Sequence, residues 1–225
     1  MKRDRLDIFF SREYENEINE QILEYDYDIP FSSIDKYIEN ICQISFFEIV
    51  DFIVSNYPIM KLDKSDFMQF SDPRDATTRL CSVFKTMDGQ GLQAYELGTK
   101  LLPEGKKHEA YRKYGEGNGK AGTALGLLSN FSNTYFLASL GYVLLDLNKN
   151  DQKQLLSRLI IRLPEYRQLF VEITKKGFVE LREYMEQFPE STYVRRRSTF
   201  KNLLRMMCDA DPSFFAPYIE KIHIL

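Results

Sequence analysis

Four glycines fall within eight residues, Gly115-Glu116-Gly117-Asn118-Gly119-Lys120-Ala121-Gly122. Glycine reaches backbone conformations closed to other residues, so such a run reads as chain that turns tightly. Gly117 to Gly122 is a literal GxGxxG. A dinucleotide fold needs that motif between a buried strand and a helix N-terminus, where the backbone approaches a pyrophosphate. The preceding Lys106-Lys107-His108-Glu109-Ala110-Tyr111-Arg112-Lys113-Tyr114 is too charged for a buried parallel strand. A P-loop would need glycine at 114 and Ser or Thr at 121, and Tyr114 and Ala121 stand there. What remains is a turn beside basic and aromatic residues. It leads into a short helix, Lys120 to Leu128, with Ala121, Ala124, Leu125 and Leu128 inward. The N-terminus of such a helix favours a phosphate.

Composition narrows the classes. The 225 residues are 44% apolar and 28% charged, which suits one large globular domain or two small ones. No window approaches the roughly 18 apolar residues of a membrane helix, so no membrane partner is expected. Met1 to Arg5 is basic, but Arg12, Glu13, Glu15 and Glu17 follow where a signal peptide has its apolar region. Cys42, Cys81 and Cys208 form no CxxC pair, which fits a reducing compartment; the expected location is cytoplasmic. His108 and His223 alone leave no set for a multi-histidine metal site or a histidine triad. Asp63, Asp66, Asp72 and Asp75, with Lys61 and Lys64 nearby, are the one group that resembles a Mg²⁺-dependent nuclease set. No Pro-Asp…Glu-x-Lys run accompanies them, and they read as a solvated connector. No catalytic residue, metal or cofactor is therefore expected.

The formal net charge of -3 conceals a division. Residues 1–75 carry 8 Lys+Arg against 17 Asp+Glu, and residues 76–225 carry 22 against 16. Opposite signs in the two parts suit different partners. The pattern gives three segments. Residues 1–75 form an acidic helical region: a single-faced helix over 11–29, a second with Ile34, Ile38 and Ile41, and a buried helix from Ser45 to Asn56. Residues 61–75 are a turn-rich connector. Residues 76–148 hold helices over 76–87 and 93–102, the basic run, the short helix and a strand near Thr134 to Ala138 broken at Gly141. Residues 149–225 hold a long helix broken near Pro164, a helix over 178–188, and a last helix from Tyr193 to Cys208 capped by Ser191 or Thr192.

Three helices followed by a small β-hairpin make a winged helix, and residues 76–146 fit that order. Ala124-Leu125-Gly126-Leu127-Leu128 would close the recognition helix, and Asn133 to Gly141 would supply the wing strand. These strings resemble the winged-helix DNA-binding modules of bacterial restriction endonucleases and related phage-defence proteins. Ser191-Thr192-Tyr193-Val194-Arg195-Arg196-Arg197-Ser198-Thr199-Phe200-Lys201-Asn202-Leu203-Leu204 resembles the closing helix of the same modules. Ala138 or Ser139 replaces their usual threonine, and Leu203 or Leu204 their tryptophan. The likeness spans about 76–208.

The last helix is cationic on its own account: Arg195, Arg196, Arg197, Lys201 and Arg205 have no acid between Ser191 and Met207. Arg197, Lys201 and Arg205 lie four apart, on one face. Such a face binds backbone phosphates. The expectation is thus a mainly α protein with an N-terminal helical region, a winged helix, and a second helix-turn-helix-like region. It would be a non-catalytic subunit that binds duplex DNA. Lys113, Asn118, Lys120 and Thr123 would lie on and before the recognition helix, with Asn118 placed to read adenine. Arg195, Arg196, Arg197 and Lys201 would grip phosphate. The resemblance implies an antiviral restriction system in which a separate nuclease or ATPase docks on residues 1–75. The alternatives are a scaffold subunit whose winged helix contacts protein, and a small metal-dependent nuclease.

Overall fold

The computed structural model describes residues 5–10, 41–68, 73–87 and 89–223. The expected helix over 11–29 and most of the one after it lie outside these residues. Helix α1 is Arg5–Phe10. Helix α2 (Phe46–Asn56) starts at a capping box. The Glu48 N–H donates to the Ser45 hydroxyl at 3.2 Å, and the Ser45 N–H donates back to the Glu48 carboxylate at 2.9 Å. The described chain is mainly helical, with a small three-stranded antiparallel sheet and a separate parallel pair of strands. It divides into two compact units.

The first unit holds the described residues of Met1–Gln43 and Phe70–Gln152. After α3 (Pro73–Lys85) come β1 (Leu92–Gln93), α4 (Ala94–Leu101), α5 (His108–Leu125), β2 (Leu128–Phe131), β3 (Thr134–Leu137) and α6 (Ser139–Asp146). The sheet order is β1-β3-β2, with Leu92 opposite Tyr135 and Leu128 opposite Leu137. Ser132 and Asn133 join β2 to β3 with φ of 50° and 64°, the left-handed pair that a tight two-residue hairpin requires. Leu80, Phe84, Leu97, Leu125, Tyr135 and Leu144 are among the buried core residues.

The glycine run is not a turn. α5 passes straight through it and stops at Gly126, whose φ of 77° makes the left-handed cap. Gly115, Gly119 and Gly122 recur at helical spacing, and each faces a close neighbour: the Ala94 carbonyl, the Tyr135 ring, and Leu128 with Leu80. Close packing of α5 against α4 and the sheet thus outweighs glycine's poor helix propensity. Because α5 ends early, Leu128 belongs to strand β2 and not to the end of a short helix. Gly141 lies within α6 and does not end a strand there.

The second unit holds the described residues of Ile44–Gln69 and Lys153–Leu225. Residues 44–68 therefore share a unit with the C-terminal helices, across the expected boundary at 75. The chain reaches this unit along α7 (Lys149–Ile161), and Pro164 opens α8 (Pro164–Lys176), which stops at Gly177 with φ 89°. Next come β4 (Val179–Glu180), a single turn α9 (Leu181–Tyr184), α10 (Glu190–Ala210), α11 (Pro212–Ile219) and β5 (Ile222–His223). β4 and β5 pair in parallel, so the helix expected over 178–188 is instead a strand and one helical turn. α10 begins at Glu190 with Pro189 before it, and no side chain caps it; Ser191 and Thr192 are inside the helix. Ile49 and Ile53 of α2, Leu169 and Phe170 of α8, Leu203 and Met207 of α10, and Phe215 of α11 are buried in this unit.

Candidate nucleic-acid interface

In the first unit the N-terminal ends of α4 and α5 form an exposed basic and aromatic surface. Tyr111, on the first turn of α5, fixes the connection between them. Its hydroxyl donates to the Pro103 carbonyl at 3.0 Å and accepts from the Lys106 N–H at 3.1 Å. Lys106, Lys107 and His108 are exposed. The imidazole of His108 stacks on Tyr95 of α4, with centroids 4.2 Å apart. Lys106 and Lys107 form no ion pair among the described residues.

Further along, the outer face of α5 is a ladder of alternating charge. Arg112 pairs with Glu109 at 2.8 Å and with Glu116 at 3.4 Å; Lys113 lies 3.5 Å from Glu109, and Lys120 lies 2.6 Å from Glu116. Hydrogen bonding to Arg112 holds the Glu109 carboxyl down at about 2. Lys113 and Lys120 are thus exposed, as a DNA contact requires, but each already has a carboxylate beside it. Surface pairs of this kind contribute little and exchange readily.

Asn118 must be withdrawn as a base reader. It is buried, and its Nδ2 donates to the Tyr114 carbonyl one turn back at 2.9 Å. With α5 continuous, Asn118 falls on the inner stripe with Tyr111, Gly115, Gly122 and Leu125. Thr123 is partly buried, and its hydroxyl donates to the Gly119 carbonyl at 3.0 Å.

The second unit carries the other cationic face. Arg195 and Arg205 of α10 are exposed, and Arg197 and Lys201 are partly so. Arg195, Lys201 and Arg205 form no ion pair among the described residues. The Arg197 guanidinium lies over the Tyr193 ring at 5.3 Å, and Arg182 lies over the same ring at 4.8 Å. Arg196 does not belong to the outward set. Its Nη1 donates to the Phe67 carbonyl at 2.8 Å, and its guanidinium lies over Phe188. Burial, with Arg195 beside it, lowers its pKa. The signal was in the sequence: Arg196 shares the stripe of Tyr193, Phe200, Leu203 and Met207, which faces inward.

Two residues of this chemistry carried no signal in the sequence. One is Tyr95, read only as part of a short helix. The other is Glu165, buried in the second unit, where Oε1 accepts from the Met68 N–H at 2.9 Å and Oε2 has no hydrogen-bond partner.

Among the described residues no three His, Cys, Asp or Glu side chains are placed to hold a metal ion. Asp66 accepts from the Asp63 N–H at 2.6 Å, which fixes a short 3₁₀ turn, and Lys61 pairs with Glu186. Asp72 and the side chain of Asp75 lie outside the described residues. No described helix is long and apolar enough to cross a membrane. No family model, curated protein or solved structure matches the chain.

Proposed function

We propose that the chain is a non-catalytic DNA-binding subunit whose first unit is a winged helix. The observation that carries this reading is the order α3-β1-α4-α5-β2-β3 with strand order β1-β3-β2. That is the order in which a winged helix presents a recognition helix and a hairpin wing. On this reading α5 enters the major groove by its N-terminal turns. Lys106, Lys107 and Lys113 meet phosphates there, and the Ser132–Asn133 hairpin is the wing. Lys120 and Thr123 lie beyond the first turns of α5 and face the DNA backbone rather than the bases. In the second unit, Arg195, Arg197 and Lys201 offer a further phosphate-binding face. The likeness to restriction and phage-defence modules supports a separate nuclease or ATPase as effector, in the cytoplasm.

Fluorescence anisotropy with duplex DNA tests this. Neutralising several phosphates gives affinity that falls steeply with salt, by about 0.9 in log-log slope per contact. Binding near 50 mM salt that weakens on Lys106→Glu with Lys107→Glu supports the proposal; no binding there overturns it.

A second reading, a scaffold subunit, is favoured by one observation: Glu109 and Glu116 already neutralise most of the outer face of α5. Reversing Arg195 and Arg197 to Glu separates the two. DNA affinity falls under the first reading; under the second only complex assembly is disturbed.

A further inference from the structure

Large apolar side chains left in water mark contact surfaces when they gather in one place. Among the described residues six are exposed: Phe47, Ile59, Met60, Tyr95, Phe178 and Val194. Three of them, Ile59, Met60 and Phe178, line one groove of about 370 Å³ in the second unit. One wall is the stretch Ile59 to Leu62; the other is formed by the end of α8, β4 and α9.

The groove is held in shape. Phe178 stacks on His223 with centroids 5.2 Å apart, and His223 Nδ1 lies 2.7 Å from Glu180 Oε1. Lys61 spans to Glu186 at 2.6 Å and ties the first wall to the second.

Its charge is negative. Glu172, Glu180, Glu183 and Glu186 line it against two cations, Lys61 and Lys176. Both lysines are already committed, Lys61 to Glu186 and Lys176 to Glu172. Glu183 is exposed and forms no ion pair among the described residues.

From these features we infer that the groove docks an extended peptide segment of a partner protein, one that carries apolar side chains beside Lys or Arg. The apolar side chains cover Ile59, Met60 and Phe178. A basic residue meets Glu183. Complementary charge selects the segment and its register. This inference stands apart from DNA binding by the first unit. It moves the expected docking of a partner from residues 1–75 as a whole to Ile59–Leu62 and the helices that face them.

The test uses the full chain and two labelled 12-residue peptides, one of leucine and lysine and one with glutamate for each lysine. The lysine peptide should bind and the glutamate peptide should not. Phe178→Ser with Met60→Ser should weaken binding about tenfold, as loss of a central apolar anchor does. Glu183→Lys should weaken it about threefold, as loss of a rim charge does. All three positions are exposed, and circular dichroism verifies that the variants fold; Glu183→Gln serves if Glu183→Lys does not. Equal binding of both peptides, or binding unchanged in these variants, overturns the inference. So does a chain that sediments as a dimer and becomes monomeric on Phe178→Ser, because the occupant is then a second copy.

Discussion

Gly98 of α4 and Tyr111 of α5 meet backbone against backbone, so that a Cβ on Gly98 would overlap the Tyr111 carbonyl. Gly115 of α5 stands in the same relation to the Ala94 carbonyl. The two glycines let the helices approach more closely than any side chain permits, and so set the angle at which α5 presents its first turns.

Alanine at either position must push the helices apart. Gly98→Ala or Gly115→Ala should destabilise the chain by about 1–3 kcal/mol, the usual cost of overpacking. Gly117 has open space where its Cβ would be. Gly117→Ala should therefore stabilise by about 0.5–1 kcal/mol, since alanine loses less conformational freedom in a helix. Urea denaturation reads all three; a Gly117→Ala loss equal to the others would refute the packing account.

Burial pushes the Glu165 carboxyl up to about 7, with Asp66 adding to the rise, while the Met68 N–H and Arg196 oppose it. The folded-state value lies above the ordinary 4.5. Folding therefore favours the protonated form. Its contribution is full below about pH 4.5, declines as pH rises and is lost above about 7, a span of about 3 kcal/mol. Unfolding midpoints should fall between about pH 5 and pH 8. Glu165→Gln should flatten that decline and stabilise the chain at pH 8. Identical pH profiles for the two proteins would count against it.

Neighbouring arginines on α10 should behave as opposites. Arg196→Ala removes the donor to the Phe67 carbonyl and should cost about 1–3 kcal/mol of stability. Arg195→Ala, at an exposed site, should change stability by less than about 0.5 kcal/mol. Thermal melts of the two variants check this, and equal losses would contradict the placement of Arg196.

The three thiols should react with an alkylating reagent at separate rates. Cys42 is exposed, Cys208 is intermediate and Cys81 is buried. Burial also pushes the Cys81 thiol up to about 12, which removes the reactive thiolate at neutral pH. Mass spectrometry of a labelling time course should show Cys42 first and Cys81 only on unfolding. Early labelling of Cys81 would place α3 elsewhere.

Local signals with a chemical cause were legible in the sequence. The helix read from Ser45 to Asn56 is α2, and Pro164 divides α7 from α8. The strand at Thr134 to Leu137 was also readable from its β-branched and aromatic residues. The glycine run misled because glycine's propensity is local, whereas the reason for these glycines is the approach of α4, Tyr135 and Leu80. Leu128 misled because leucines at helical spacing continue past Gly126. The turn of the expected hairpin was obscured because Ser132 and Asn133, rather than glycine, take the left-handed conformation. At the candidate site the cations were visible, but their partners were not. Reading Lys113 and Lys120 with Glu109 and Glu116 needs the continuous helix that the glycines concealed.

The second unit draws on two stretches of chain with Phe70–Gln152 between them. Phe46 of α2 contacts Phe215 of α11 ring to ring, and Arg158 of α7 donates to the Ile44 carbonyl. During synthesis, α2 leaves the ribosome with its apolar side chains exposed, well before α8 and α11 exist to cover them. At ordinary elongation speed the wait is on the order of ten seconds. The first unit's helices and sheet, made in that interval, have time to form. Residues 44–56 then wait with their apolar face uncovered until α8 and α11 emerge.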